Sequence, residues 1–172
     1  MEGYKKWLGL TRLGLGLIFL WAFFDKLIGL GFTTCRDEET NTVITFCERA
    51  WLSGGSPTTG FLKFATQGPF EGFYQSLAGN VFVDWLFMLG LLGIGVALTL
   101  GILVKFASWS GALMMLLMYL AVLPPEHHPF IDDHIIYALV LIAFTSMPVG
   151  DWVGMGNWWK TTGPGRGKPM FH

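Results

Sequence analysis

The sequence predicts an all-α integral membrane protein, a four-helix bundle with an ordered, disulfide-closed outer loop between its first two helices. Three observations carry this expectation. Only 13% of the 172 residues are charged, about half the share usual in soluble domains. Four segments (7–30, 82–102, 106–123 and 134–149) are predominantly apolar and approach the roughly 20 residues that cross about 30 Å of hydrocarbon. None alternates with the period of a strand. A soluble bundle would need polar faces on its outside, and the second and third segments have almost none. With 23 Gly, 8 Trp and 15 Phe, the composition suits glycine-bearing transmembrane helices flanked by aromatic belts. The net charge of −1 and the lack of a basic, aromatic-interleaved stretch exclude a nucleic-acid partner.

The first span follows Lys5 and Lys6 but runs into Asp25-Lys26-Leu27. Small residues would stand there in a cleaved signal peptide, so the segment is expected to stay as an anchor. Basic residues set the orientation. Lys5, Lys6 and Arg12, then Lys105, then Lys160, Arg166 and Lys168 flank one side, whereas the connection 124–133 has no Lys or Arg. Both termini, with a tail over 150–172, are therefore expected in the cytoplasm of a cell membrane, and the loop 31–81 outside. The whole chain, 1–172, reads as one four-span domain.

That outer loop holds the only cysteines, Cys35 and Cys47. On an oxidising face they read as a structural disulfide worth about 2–4 kcal/mol. A redox-active pair would need a Cys-x-x-Cys or a second pair as relay, and neither is present. Ser56-Pro57 has the form of a helix N-cap followed by proline at the first helical position. After Gly68-Pro69, Phe70, Phe73, Tyr74, Leu77 and Ala78 form one apolar helical stripe, suited to the membrane interface or to a lid over the bundle mouth. In the second span Gly93, Ala97 and Gly101 recur at four-residue spacing, which predicts close helix packing.

Charged groups inside spans are functional candidates by default. Asp25 and Lys26 end the first span, Asp84 opens the second, and Asp133 and His134 open the last, with Tyr137 on the same helix face. All are expected near the outer membrane face. Arg12 lies about 20 Å below, at 1.5 Å per residue. Imidazole, phenol and carboxylate together suit a quinone, whose ring would stack on Trp21, Phe24 or Trp85. Equally, Asp25, Lys26 and Asp84 could form a buried ion network fixing helix register. Glu126-His127-His128 with Asp132-Asp133-His134 offer metal ligands, His127, His128 and His134 foremost, but the spacing matches no metal motif, and no metal is expected. Asp132 or Asp133 also suits a helix N-cap. No phosphate loop, dinucleotide fingerprint or haem motif occurs, and no flavin, haem or iron–sulfur cluster is expected.

Several stretches resemble the DoxX/DoxD family across nearly the whole chain: 12–27, ending Phe24-Asp25-Lys26-Leu27; Ser56-Pro57-Thr58-Thr59-Gly60-Phe61-Leu62; Gly68-Pro69; 111–121; Leu123-Pro124-Pro125; and Asp133-His134-Ile135-Ile136-Tyr137. The resemblance implies a four-helix membrane bundle. For the DoxD branch it implies the large subunit of a thiosulfate:quinone oxidoreductase, working with a separate small subunit and a terminal quinol oxidase. Arg12, Asp25, Lys26, Asp133, His134 and Tyr137 inherit its candidate site. The other reading is a non-catalytic accessory subunit of a larger respiratory complex.

Overall fold

The computed structural model describes residues 2–37, 40–125 and 128–161. These form seven α-helices: α1 Gly3–Ile28, α2 Glu71–Ser76, α3 Val81–Leu100, α4 Val104–Ala121, α5 Asp133–Phe144, α6 Val149–Trp152 and α7 Gly156–Thr161. No strand occurs among the described residues beyond the isolated bridge between Arg36 and Val43. Helices α1, α3 and α4 are long and apolar enough to cross a membrane.

Local chemistry sets the helix limits. Gly29 ends α1 with φ 74° and returns its N–H to Asp25 O, the left-handed closure that glycine adopts without a Cβ penalty. Asn80 begins α3 by accepting from Phe82 N at 2.9 Å, and Gly101 closes the helix with φ 76°. Asp132 opens α5 by accepting from Ile135 N at 3.2 Å, which settles the choice between the two aspartates.

The fourth predicted span forms a helix too short to be counted with the other three. Helix α5 has 12 residues, about 18 Å of rise, and ends at Phe144 rather than running to Val149. Pro148 explains the break. Its ring disfavours helical backbone at Met147 and lacks the N–H that a continuing helix needs. The chain turns through Thr145–Met147 and restarts as α6.

Helix α1 packs on α3, α3 on α4, and α4 on α5. Phe19, Met88, Ile94, Leu98, Met115, Leu141 and Phe144 fill the space between them. Outward, Leu86, Leu89, Leu113, Leu116 and Leu139 are exposed, an arrangement stable only against lipid or other apolar surface. A small residue does bring α1 and α3 together, but it is Gly95. A Cβ at Gly95 would stand 2.9 Å from Leu20 N, whereas one at Gly93 meets nothing within 4 Å. The expected four-residue stripe is thus corrected: Gly93 lies on the open side and Gly101 is a helix cap. Gly95→Ala is expected to lower the thermal midpoint in detergent, costing about 1–3 kcal/mol through overpacking. Gly93→Ala should leave it unchanged or raise it slightly through helix propensity. Equal effects of the two would refute this packing.

Candidate functional site

The polar residues where α1 ends and α3 begins hold the loop that follows α1. Asp25 is fully buried and accepts from Phe32 N (2.9 Å), Thr33 N (3.0 Å) and Thr33 Oγ1 (2.7 Å). Thr33 Oγ1 also accepts from Lys26 Nζ at 3.2 Å, and that ammonium lies 6.0 Å over the Phe87 ring. Asp84, also buried, accepts through Oδ1 from Ser56 Oγ (2.9 Å), Thr58 N (3.3 Å) and Thr58 Oγ1. Ser56 in turn accepts from Thr59 N at 3.2 Å, but the short helix Phe61–Ala65 begins at Gly60 without a side-chain cap, so the expected Ser56 N-cap with Pro57 at the first helical position does not form. Among the described residues Lys26 makes no direct ion pair with either aspartate, and Thr33 Oγ1 stands between its ammonium and Asp25. Short backbone and hydroxyl donors reach the two aspartates first, at far lower conformational cost than a lysine stem.

A third attachment lies at the C-terminal end of α4. Gln67 N donates to Ala121 O at 3.0 Å, and Gln67 Nε2 donates to Val122 O and Pro124 O at 3.2 and 3.0 Å. These bonds serve carbonyls that a helix end leaves open. Tyr74 OH donates to Leu117 O at 2.8 Å, and Tyr74 packs with Leu62 and Ala121. The predicted stripe thus splits. Tyr74, Leu77 and Ala78 turn onto the protein, while Phe70 and Phe73 stay exposed.

Burial raises the Tyr74 phenol above its ordinary value. A raised folded-state value means a stabilising contribution that is complete below the ordinary phenol pKa. It is lost as pH rises through the higher folded one. Tyr74→Phe is expected to remove that alkaline loss, read as the difference between the stability–pH curves of the two proteins above pH ~10. Identical slopes would show that Tyr74 does not contribute.

Cys35 and Cys47 stand at disulfide distance, 2.06 Å between sulfurs and 5.7 Å between Cα atoms. Cys35 is buried, and Phe46 N donates to Ile28 O at 2.8 Å, so the crosslinked turn sits on the end of α1.

On α5 the arrangement differs. His134 Nδ1 stands 2.6 Å from Asp132 Oδ2, with the two side chains 24% and 19% exposed. This pairing fixes the proton on Nδ1 in the neutral ring, leaving Nε2 as acceptor, or as donor once protonated. Neither Nε2 nor the Tyr137 hydroxyl has a hydrogen-bond partner among the described residues. Asp133 points away and is exposed. Asp132 was missed as a site residue because a helix cap and an imidazole partner are indistinguishable in sequence.

The expected site does not close into one pocket through direct contacts. No hydrogen bond or ring contact among the described residues joins His134 or Tyr137 to Asp25, Lys26, Asp84, Trp21, Phe24 or Trp85. Trp85 meets Trp51 edge-on at 4.7 Å, and Trp21 and Phe24 are exposed on the side of α1. His128 Nδ1 accepts from Phe130 N and Ile131 N at 3.2 and 3.1 Å, closing its own turn. His127, Glu126, Arg166 and Lys168 lie outside the described residues.

Arg12 belongs to the opposite end. It is fully buried and donates through Nη1 to Thr99 O (3.3 Å) and through Nη2 to Val153 O. It joins α1, the last turn of α3 and the segment between α6 and α7.

Fold and site together define an all-helical membrane protein whose loop-end carboxylates anchor structure and whose α5 carries an imidazole nitrogen and a phenol without partners among the described residues. No family model, curated protein or solved structure matches the chain.

Proposed function

We propose that this chain is a DoxX/DoxD-like four-helix membrane bundle and the membrane subunit of a quinone-linked redox system, with its quinone contact at His134 and Tyr137. One observation carries the reading: His134 Nε2 and the Tyr137 hydroxyl, one turn apart on α5, are polar groups that the fold itself does not consume. Both can hydrogen-bond quinone carbonyl oxygens. Asp132 holds the imidazole orientation through Nδ1, as a carboxylate does for a catalytic histidine. In the reaction implied by the resemblance, two thiosulfate ions join through a new S–S bond and release two electrons. A quinone takes up those electrons and two protons. Lys26, already close to the loop end, supplies positive charge for the anion.

The test gives the purified chain thiosulfate and a water-soluble quinone. Turnover is expected, with His134→Ala and Tyr137→Phe slowing quinone reduction by about 10²-fold, the usual lower range for loss of a general acid. Unchanged rates in both variants would sink the assignment of α5.

A second reading has its own support. An apolar groove of about 410 Å³ runs along α3 past Leu89, Gly93, Val96 and Ala97, a shape that receives a partner helix. In that case the chain is a non-catalytic subunit of a respiratory or quinol oxidase complex. It would show no turnover alone and would co-purify with oxidase or dehydrogenase subunits.

A further inference from the structure

The segment 61–78 suits either a lid over the bundle mouth or the membrane boundary, and its attachment to α4 distinguishes the two. Gln67 N reaches Ala121 O, at the last residue of that helix. Tyr74 OH reaches Leu117 O, one turn or about 6 Å further along the span. Leu62 and Tyr74 close on Ala121, with Leu120 of α4 and Val83 of α3 packed beside them. The segment is thus seated against the final turn of α4 and the first turn of α3. Leu113 and Leu117, one turn apart on α4, are exposed. The apolar side that this membrane-crossing helix turns outward therefore runs up to the residue that Tyr74 holds.

The side chains not used in this packing are sorted by polarity. At 3.6 residues per turn, Phe73 and Gln75 lie on opposite flanks of α2, with the buried Tyr74 between them. One flank carries Phe73, 63% exposed. The other carries Glu71 and Gln75, joined by a hydrogen bond of 2.8 Å. Ahead of α2, Phe64 is 79% exposed, and Lys63 Nζ lies 5.7 Å from its ring. An aromatic body beside an amine on a long stem suits the level where hydrocarbon gives way to headgroups. A lid standing in water would leave both phenylalanine rings hydrated, which the hydrophobic effect opposes.

We propose that the segment 61–78 is an interfacial element embedded in the bilayer boundary where α4 ends. Phe64 and Phe73 insert among acyl chains, while Glu71 and Gln75 face headgroups and water. Lipid is the occupant of this apolar surface because the surface continues the outward side of α4 and carries its own polar edge, the arrangement of an amphipathic helix lying in a membrane interface. The inference rests on the membrane-crossing helices and is independent of the quinone reading.

Spin labels on the full chain in phosphatidylcholine vesicles, attached at Phe64→Cys, Phe73→Cys and Gln75→Cys, read this depth. Their relaxation is compared between oxygen, which concentrates in hydrocarbon, and a water-soluble nickel chelate. All three positions are exposed, so the substitutions leave the fold intact. Oxygen should be the stronger relaxant at 64 and 73, and the nickel chelate at 75. The unmodified chain gives a second measurement: a photoactivated carbene carried on a lipid acyl chain should label Phe64 and Phe73 above Glu71 and Gln75. Stronger relaxation by nickel at both phenylalanine positions would overturn the proposal, since the segment would then stand in water. Weak relaxation by both reagents there, with no carbene label, would overturn it as well, because protein and not lipid would cover the surface.

Discussion

Replacing Asp25 with Ala should release the loop between α1 and α2 from the end of α1. Three donors converge on this one buried carboxylate: Phe32 N, Thr33 N and Thr33 Oγ1. Hydrogen bonds to a charged group contribute about 1.5–3 kcal/mol each, and a buried donor stripped of its acceptor adds a desolvation cost. The substitution should therefore cost about 3–5 kcal/mol, the scale found when one member of a buried charged pair is removed. Part of that cost is local. Limited proteolysis should cut within 31–60 faster in Asp25→Ala than in the parent, before global unfolding. Asp25→Asn should fall between the two, because its amide keeps one acceptor oxygen but presents N–H groups where donors already point. A parent-like cleavage rate together with a parent-like melting temperature would show that the loop is held by the disulfide and Asp84 alone.

Arg12→Ala should have an effect of similar size at the other end. A guanidinium this deeply buried, with no carboxylate bonded to it among the described residues, requires other compensation. Carbonyl oxygens of Thr99 and Val153 supply it, and the C-terminal end of α3 adds the negative pole of its helix dipole. The segment containing Val153 depends on the same carbonyl-rich end, since Met155 N donates to Leu100 O at 2.8 Å. Arg12→Ala removes both bonds and leaves a cavity, for a loss of about 3–5 kcal/mol. Arg12→Met restores much of the volume without the donors, so it separates packing from hydrogen bonding. If Arg12→Met melts with the parent, the two carbonyl bonds contribute nothing and Arg12 acts only by filling space. Lys cannot replace it fully, because one ammonium lacks the planar fork that spans both carbonyls.

These two results bear on how the charges of a membrane chain are read. A buried acid or base in a span is a candidate for chemistry, yet Asp25, Asp84 and Arg12 each take hydrogen-bond partners from the chain itself. Their hydrogen bonds join helix ends to the segments that cover them. On α5 the His134 Nε2 and the Tyr137 phenol have no hydrogen-bond partner among the described residues. The candidate chemistry therefore moves away from the residues most conspicuous as charges and toward those left over once the fold is satisfied.

Much of the architecture was legible because it rests on local rules. Long apolar runs announce α1, α3 and α4. The pair Cys35 and Cys47 and the aspartate before α5 each follow from chemistry within a few residues. Even the early end of α5 was written in Pro148, although the apolar residues on both sides concealed it.

What the sequence by itself determined is the class: an all-helical protein with long apolar runs able to cross a membrane and its charges placed near their ends. That three helices rather than four have the length to cross is decided by the structure. What only the tertiary structure decided is which partner each charge takes. Asp25 meets Thr33, Asp84 meets Ser56 and Thr58, Arg12 meets Val153, and Gly95 rather than Gly93 meets α1. The physical reason is range. Helix and cap formation depend on neighbours within about one turn. Hydrogen-bond partners and close helix contacts between distant segments depend on the rotation and depth of each helix, which packing alone sets.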